Sequence, residues 1–467
     1  MTKLFCQIFL FNAAQSQAIS DAYVEMIMVN LKIKTFEPNY FCEVELGVCK
    51  PNKYEVLSTE DYTTRVLSDK PDFIKDNNYI NSLYDDMQKD KEAGRDRETM
   101  LMYQFSDLHW NLNYEEGTNT DCGAIVCCTA QGPSPASKDT TAGKWGDYRC
   151  DANPKVFAQL KHTINITGTP DFIAWTGDNP DHGIYKDPSM TTNATIQVTN
   201  FIETHSPESV VFPIHGNHEF NPMNTQDFNI EIDPVVEFVA NSWEHWLTPE
   251  VREEYIRNSY FSYDATTHPD TNEEFRRKME KTRIISLNTN NCYMYNFYLI
   301  GQLNDPKQQL EWLEELLRTM EQNGEVGIII GHMPPGIADC LNDVSLRLNV
   351  LLDRFQHIVR LNLYGHTHYE EFEVIRSIGD KKPIGMNHVA PSITTFFGQN
   401  PSIRAITLDV KTKLPVKIET YTFDIKKANE NDEDAKFVKD HELTETYGMP
   451  DLSPRSFLDL TTSFASK

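Results

Sequence analysis

Six short apolar segments constrain the fold of this 467-residue chain more than any other feature. Each segment is rich in β-branched or aromatic residues and ends in a polar residue or glycine, which is typical of strands. Their sequences are MLMYQFSD, DFIAWTGD, VVFPIHGN, TRIISLNT, GIIIGH and RLNLYGH. Runs that are apolar on both faces predict strands buried on both sides, as in a sheet covered by helices. The chain is therefore predicted to have an α/β fold.

One helix between these segments carries both start and stop signals. Asp305 suits the N-cap, Pro306 suits the first helical position, and Gln308 completes a capping box. Gly324 suits the C-terminal stop. Between these signals lies one apolar stripe, formed by Leu310, Leu313, Leu317 and Met320. Helix and strand are therefore predicted to alternate in this part of the chain.

Polar side chains follow five of the apolar segments at the point where each predicted strand ends. They are Asp107, His109, Asp178, Asn217, His218, His332, His366 and His368. In sheets of this kind, ligands bind beyond the carboxyl ends of the strands, so residues distant in sequence converge there. Glycines that precede four of these residues fit sharp turns that aim the next side chain inward. The sequence therefore predicts one site at this edge.

The chemistry of these side chains predicts a hydrolytic metal site. Neutral imidazole and carboxylate are ligands for zinc, manganese or iron, and no cysteine stands at these strand ends. Two divalent ions about 3.5 to 4 Å apart can clamp a phosphate and lower the pKa of a bridging water, which supplies hydroxide for in-line attack. Histidines outside the motifs are expected to be structural or solvated, namely His162, His205, His268, His357 and His388.

The motifs SDLH, GDN, GNHE, GH and GHTH occur in this order and resemble the calcineurin-like metallophosphoesterase superfamily over residues 100–423. This resemblance implies a sandwich of two mixed β-sheets flanked by helices. It also implies two metal ions with Asp178 bridging them. The first ion would take Asp107, His109, Asp178 and His368, and the second would take Asp178, Asn217, His332 and His366.

Further segments narrow the resemblance to the acid sphingomyelinase family. They are CGAIVCC, KWGDYRCD, GDNPDH, GNHEFNPMN, GHMPPG, GHTHYEEFEV, APSITTFFGQNPS and ETYGMPDLSP. The resemblance implies hydrolysis of sphingomyelin to ceramide and phosphocholine, with zinc as the metal and a phospholipid at a membrane or micelle surface as the substrate.

Two histidines beside the ligands are expected to take part in catalysis. The ceramide oxygen leaves poorly without a proton, and the resemblance assigns the general acid to His218. His182 matches a second family histidine near the leaving group, although it could instead orient a metal ligand. His215 fits no family motif.

Other functions remain as alternatives. A nucleotide or CDP-choline phosphodiesterase of the sphingomyelinase-like branch would share the metal site and the cysteine cluster. A catalytically silent lipid-binding protein is a further alternative, against which the complete ligand set speaks. A protein serine/threonine phosphatase is disfavoured, because GDNPDHG and GNHEFNP lack the arginines of the corresponding phosphatase motifs.

Four of the nine cysteines cluster in a polar stretch at residues 110–150. So long a loop without secondary structure is expected to be fastened. Disulfides would fasten it by lowering the entropy of the unfolded chain. A four-cysteine zinc site is the alternative, although the usual paired spacing is absent. The family resemblance implies the pairs Cys122–Cys127, Cys128–Cys150 and Cys292–Cys340.

The predicted environment is the secretory pathway, in a lysosomal or other acidic compartment or outside the cell. Asn165 and Asn193 begin glycosylation patterns, and disulfides favour an oxidising compartment. The net charge of -26 suits an acidic compartment and argues against nucleic-acid binding. No uncharged apolar run has the roughly 18 to 20 residues that a membrane-spanning helix needs, so only peripheral membrane contact is expected.

Four regions are predicted along the chain. The family resemblance implies that residues 1–52, which include FCEVELGVC, form a partial saposin-like helical segment, and the start of the chain suits either a secretory signal or a truncated helix. Residues 53–98 are predicted to be a polar linker with one helix. Residues 99–428 would form the catalytic domain, with a hairpin turn at residues 411–415. Residues 429–467 are predicted to form a helical C-terminal segment.

Overall fold

The computed structural model describes residues 13–31, 58–184, 187–301 and 305–465. The strands are β1 (Thr99–Phe105), β2 (Phe172–Trp175), β3 (Val210–Pro213), β4 (Phe261–Asp264), β5 (Thr282–Ser286), β6 (Val326–Ile330), β7 (Val359–Tyr364), β8 (Glu371–Arg376), β9 (Pro383–Val389), β10 (Ser402–Asp409), β11 (Pro415–Phe423) and β12 (Phe437–Glu442). The helices are α1 (Ala13–Leu31), α2 (Thr59–Leu67), α3 (Tyr79–Glu92), α4 (Pro154–Phe157), α5 (Leu160–Thr167), α6 (Ser189–His205), α7 (Pro234–Ser242), α8 (Pro249–Asn258), α9 (Glu273–Lys278), α10 (Gln309–Asn323), α11 (Asn342–Arg354), α12 (Ile425–Glu430), α13 (Leu443–Tyr447) and α14 (Pro454–Ala465).

The strands form two mixed six-stranded sheets, ordered β12-β11-β10-β1-β2-β3 and β4-β5-β6-β7-β9-β8. In the first sheet β1, β2 and β3 are parallel, while β10, β11 and β12 pair antiparallel. In the second sheet β5, β6, β7 and β9 are parallel, with antiparallel strands at both edges. The predicted fold class, two mixed sheets flanked by helices, is therefore confirmed. All six predicted strands are present, as is the hairpin between β10 and β11.

Strand β6 shows why these segments are apolar on both faces. Ile328 and Ile330 pack in a cluster that also contains Phe105 and Trp175 of the first sheet. Ile329, between them, packs in a second cluster with Leu313 of α10. Alternate side chains therefore face the other sheet and the covering helices, and both layers remove them from water.

Helix α10 begins later than predicted. Lys307 (φ 55°) and Gln308 (φ 57°) have left-handed backbones, so the α-helix starts at Gln309 and Gln308 forms no capping box. Asp305 still caps the helix, because its carboxylate accepts hydrogen bonds from the amides of Leu310 (2.9 Å) and Glu311 (3.0 Å). The stop at Gly324 (φ 67°) and the buried apolar stripe agree with the prediction.

Residues 58–98 correct the prediction of a polar linker, because they form two helices packed on the folded body. Tyr62 and Val66 of α2 are buried, as is Tyr84 of α3. Arg65 makes a double hydrogen bond to the carboxylate of Glu314 at 2.9 and 2.7 Å. The buried apolar residues are few and stand among many charged ones, which explains why the composition suggested a linker.

The C-terminal boundary predicted at residue 429 also needs correction. Strand β12 pairs with β11 and completes the first sheet, so the segment after residue 428 is not wholly helical. β12 lies at the sheet edge with three exposed residues, and only Phe437 and Glu442 are buried. An edge strand with a polar face lacks the apolar run that identified the other strands. The helices α13 and α14 follow it.

Of the N-terminal region, the structure describes only α1. Tyr23 of α1 is buried and donates a hydrogen bond to the carbonyl of Met223 at 2.8 Å. The FCEVELGVC segment, the signal-like start and Cys6, Cys42 and Cys49 lie outside the described residues. Among the described helices, none is long and apolar enough to span a bilayer.

Candidate metal centre

The predicted ligands meet beyond the carboxyl ends of β1, β2, β3, β6 and β7, and Asp178 lies at the middle of the group. Its Oδ2 is 3.0 Å from Nε2 of His332 and 3.6 Å from Nε2 of His109. All three side chains are almost completely buried. A carboxylate contacted by imidazoles from two directions has the position expected of a bridging ligand.

The other ligands complete the cluster on either side of Asp178. Asp107 Oδ1 lies 3.5 Å from His368 Nε2, and His368 Nε2 lies 3.1 Å from His109 Nε2. On the other side, Asn217 Oδ1 lies 3.1 Å from His366 Nδ1. The structure therefore brings together the seven residues that the sequence nominated as ligands.

Five of these seven residues have left-handed backbones. Their φ angles are 51° at Asp107, 39° at His109, 59° at Asp178, 72° at His366 and 66° at His368. This conformation is unfavourable for residues with a Cβ, and such strain is concentrated at functional sites. The turns after the strands thus hold the ligand side chains in positions that ordinary extended backbone would not give.

The hydrogen bonds of the imidazoles fit a site built for cations. Nδ1 of His332 lies 2.7 Å from the carbonyl of Thr176, and Nδ1 of His109 lies 2.8 Å from the carbonyl of Pro180. A carbonyl can only accept, so each Nδ1 carries hydrogen and Nε2 is the nitrogen that faces the cluster, where its lone pair can bind a metal ion in place of a proton. Facing carboxylate oxygens and imidazole lone pairs need a positive charge between them.

Three sets of side chains could each hold a metal ion within the described residues. They are His109, His182 and His368; His109, Asp178 and His218; and Asp178, His332 and His366, with ligand atoms within 4.8 Å of one another in each set. Histidine and carboxylate without thiolate suit a divalent ion in a hydrolytic site.

Glu219 holds the ligand-bearing loops together, a function that the sequence analysis did not assign. Its carboxylate accepts hydrogen bonds from the amides of Gly216 (2.6 Å) and Asn179 (2.8 Å) and from the Asn179 side chain (2.8 Å). Burial, reinforced by the charge of Asp178, raises the pKa of Glu219 to about 7. Its place directly after His218 in the GNHE motif was the available signal.

His218 and His182 lie beside the ligands. The ring of His218 meets that of His109 edge-on at 4.5 Å, and its Nε2 lies 4.0 Å from Asp178 Oδ2. Burial lowers the pKa of His218 to about 4. Burial by itself would also lower the pKa of His182. The charge of Asp151 and its hydrogen bond outweigh burial, so the pKa of His182 is raised. Asp151 was not among the predicted site residues.

His215 lies apart from the ligand set. Its Nδ1 is 2.5 Å from the hydroxyl of Tyr255, and burial lowers its pKa to about 3. His268 is likewise buried, with Nε2 donating to the carbonyl of Val211 at 2.9 Å. These contacts agree with a structural part for both histidines.

The structure contains the three disulfide bonds that the resemblance implied, Cys122–Cys127, Cys128–Cys150 and Cys292–Cys340. The first two fasten the polar stretch at residues 110–150, so the alternative of a four-cysteine zinc site there is excluded. Asn165 on α5 and Asn193 on α6 are exposed, as glycosylation would require.

The two-sheet fold with a histidine and aspartate cluster at the strand ends defines a metallophosphoesterase. A family model described as calcineurin-like phosphoesterase matches residues 100–370, and the chain belongs to this family. Its curated relatives include sphingomyelin phosphodiesterases and a cyclic GMP-AMP phosphodiesterase.

Three of these relatives show how sequence identity and coverage vary. Sphingomyelin phosphodiesterase B of Dictyostelium discoideum is 34% identical over 77% of this chain and 56% of its own length. Human sphingomyelin phosphodiesterase is 31% identical over 76% of this chain and 56% of its own length. The human cyclic GMP-AMP phosphodiesterase SMPDL3A is 28% identical over 78% of each chain. The match thus spans only about half the length of the two sphingomyelin phosphodiesterases.

Proposed function

We propose that this chain is a metal-dependent phosphodiesterase that hydrolyses sphingomyelin to ceramide and phosphocholine. The observation that carries the proposal is the convergence of seven ligand-type side chains at one sheet edge, with His182 and His218 beside them. The similarity to sphingomyelin phosphodiesterases supports this choice of substrate.

We assign the site two divalent ions and propose that both are zinc. The first is assigned to Asp107, His109, Asp178 and His368, and the second to Asp178, Asn217, His332 and His366. Such a pair, when bound, neutralises the phosphate oxygens and lowers the pKa of water. The chain itself contributes the fixed carboxylates and imidazoles, and its hydrogen bonds from Nδ1 of His109 and His332 keep each ring oriented.

The chain must also supply a proton to the departing ceramide oxygen. In the reaction, water gives one proton to the solvent and its oxygen bonds to phosphorus, while the bond from phosphorus to the ceramide oxygen breaks and leaves its electron pair on that oxygen. We assign proton donation to the pair formed by His218 and His182, whose rings lie 4.7 Å apart. His218 is the general acid in this assignment, and His182 lies beside the leaving group.

A nucleotide or CDP-choline phosphodiesterase is the second candidate function. It is favoured by the similarity to SMPDL3A proteins, which covers 78% of the human protein compared with 56% of the human sphingomyelin phosphodiesterase. A silent lipid-binding protein is disfavoured, because such a protein has no need for a complete ligand set with strained backbones.

The proposed environment is the secretory pathway, ending in a lysosomal or other acidic compartment or outside the cell. The three disulfides and the exposed Asn165 and Asn193 support it. The proposed substrate is a phospholipid at a membrane or micelle surface, reached by peripheral contact. Nucleic-acid polymers are not proposed as partners, since the net charge is -26.

A comparison of substrates tests the proposal directly. Hydrolysis of sphingomyelin in detergent or liposomes is measured beside that of ATP and CDP-choline, at about pH 5 and about pH 7, with and without a chelator. We expect chelator-sensitive hydrolysis of sphingomyelin. Activity on the nucleotides alone would favour the second candidate, and activity that survives chelation would exclude the metal mechanism.

A further inference from the structure

Asp151 is a fully buried carboxylate whose hydrogen bonds converge on His182. Its Oδ1 accepts from His182 Nδ1 at 2.7 Å, and its Oδ2 accepts from the His182 backbone amide at 2.9 Å. The hydroxyl of Thr394 donates a third bond to Oδ1 at 3.1 Å. An ionised carboxylate only accepts hydrogen bonds, so Nδ1 of His182 carries hydrogen and Nε2 is the nitrogen left free.

The faces of the His182 ring are covered as well. The ring stacks on His109 at 4.1 Å and 27°, and on Phe396 at 4.5 Å and 28°. The Phe396 amide in turn donates to the hydroxyl of Thr394 at 3.3 Å. His182 is thus held at one edge and stacked against two rings, and its side chain is 12% exposed.

The backbone on each side of Asp151 is fixed by a hydrogen bond, on one side to Thr395 and on the other to the loop that contains His109. The carbonyl of Cys150 accepts a hydrogen bond from Thr395 Oγ1 at 2.6 Å, and Cys150 is bonded to Cys128. On the other side, the amide of Ala152 donates to the carbonyl of His109 at 3.1 Å. The cysteine-rich stretch thereby places Asp151 against the ligand loop that contains His109.

We propose that Asp151 is the positioning residue for His182, which it holds with Nε2 directed at the oxygen of the leaving group. In this arrangement the Cys128–Cys150 segment serves the reaction by fixing the carboxylate that orients His182. The inference rests on the proposed phosphodiesterase activity and adds to it a residue that acts through His182 rather than on the substrate.

The test compares two leaving groups. Sphingomyelin releases a strongly basic alkoxide that needs a proton, whereas p-nitrophenyl phosphocholine releases a weakly basic phenolate that leaves without one. In Asp151→Asn, one carboxylate oxygen becomes an amide nitrogen that cannot accept, so the contacts to Nδ1 and the amide of His182 cannot both remain. We expect kcat on sphingomyelin to fall about 100-fold, the range of general acid catalysis, while kcat on p-nitrophenyl phosphocholine and both KM values change little.

Asp147→Asn is the matched control, because Asp147 lies on the same segment and contacts Arg149 rather than His182. We expect it to behave as the unsubstituted protein. Thr394→Val is a second variant that leaves the carboxylate in place and removes one hydrogen bond to it, and we expect the same substrate selectivity with a smaller loss. Thr394→Val therefore still tests the positioning of His182 if Asp151→Asn does not fold.

The outcomes separate the two proposals. The positioning function of Asp151 would be overturned if Asp151→Asn or Thr394→Val lowered kcat equally on both substrates. It would also be overturned if neither variant lowered kcat on sphingomyelin. If the unsubstituted protein hydrolysed neither substrate with metal present, the proposed phosphodiesterase function itself would fail.

Discussion

Nε2 of His332 lies 3.0 Å from Oδ2 of Asp178, and both side chains are almost completely buried. The charge of Asp178 and its hydrogen bond, joined by the charge of Asp107, outweigh the opposite effect of burial and raise the pKa of His332 to about 9. The site therefore stabilises a positive charge on His332 when a proton carries that charge. The same electrostatics would stabilise a metal cation bound between His332 and Asp178.

Asp178→Asn is expected to abolish tight metal binding, because an amide removes the negative charge shared by both proposed ions. Loss of a partner outside the ligand set costs about 10 to 100-fold in metal affinity, and loss of the shared ligand should cost at least the upper value. Metal content after dialysis, measured by mass spectrometry, reports the result. Asp187→Asn, an exposed carboxylate before α6, is the control. Full retention of metal in Asp178→Asn would show that it is not a bridging ligand.

His218→Ala is expected to keep the bound metal but to lose activity on sphingomyelin by about 100-fold or more, as for removal of a general acid. Metal analysis and steady-state kinetics on one preparation separate the two effects. His162→Ala, a partly exposed histidine on α5, serves as the control. Near-normal turnover in His218→Ala would disprove the assignment of this residue.

Gly216→Ala should displace the carboxylate of Asp178. A Cβ at this position would lie 2.0 Å from Asp178 Oδ1 and 2.7 Å from its Cγ, far inside van der Waals contact. Overpacking of this kind costs about 1 to 3 kcal/mol, and metal should be lost with the displaced ligand. Gly379→Ala is the matched control, since no atom lies within 4 Å of its added Cβ. Thermal melting and metal content are measured for both variants, and equal behaviour would contradict the geometry.

Removal of the Cys128–Cys150 disulfide by paired serine substitutions should destabilise the protein by about 3 kcal/mol, from the loop-closure entropy of its 22-residue separation. The Cys122–Cys127 pair closes a separation of only 5 residues, so its removal should cost less, about 2 kcal/mol. Denaturant unfolding measures both. A larger loss for the shorter loop would show that factors other than chain entropy dominate.

The buried His268 predicts that stability falls on acidification. Burial lowers its pKa to about 4, so between its ordinary pKa of 6.5 and pH 4 the unfolded chain binds a proton that the folded chain does not. His268 does not destabilise the folded protein above pH 6.5. Below this pH it should lower the free energy of unfolding by about 1.4 kcal/mol for each pH unit, until the pKa of the folded state is reached. His268→Gln, which can still donate to the carbonyl of Val211, should reduce this pH dependence. Denaturant unfolding from about pH 7 to about pH 4 provides the measurement.

His162→Gln is the corresponding control for the pH experiment, because this histidine is partly exposed. The pH dependence of unfolding is compared between the two variants and the unsubstituted protein. An unaltered slope in His268→Gln would mean that His268 does not contribute to acid destabilisation.

The sequence by itself determined the strands and the residues at their ends. Apolar runs such as GIIIGH identify buried strands through local composition, and the ligand types that follow them define the chemistry. The sequence also predicted the apolar stripe of α10 from its helical spacing. The disulfide pairs were implied by the family resemblance. Residues 58–98 and β12 were misjudged, because their burial depends on partners such as Glu314 and β11 that lie far away in the sequence.

Only the tertiary structure decided which side chains support the predicted ones. Asp151 reaches His182 across 31 positions, and Thr394 reaches Asp151 across 243. The left-handed backbones at Asp107 and Asp178 were likewise seen only in the structure, because aspartate tolerates this conformation better than most residues but does not require it. Strand formation is determined by local composition, whereas contacts between distant segments depend on how the whole chain packs, and these contacts orient the groups that the sequence could only nominate.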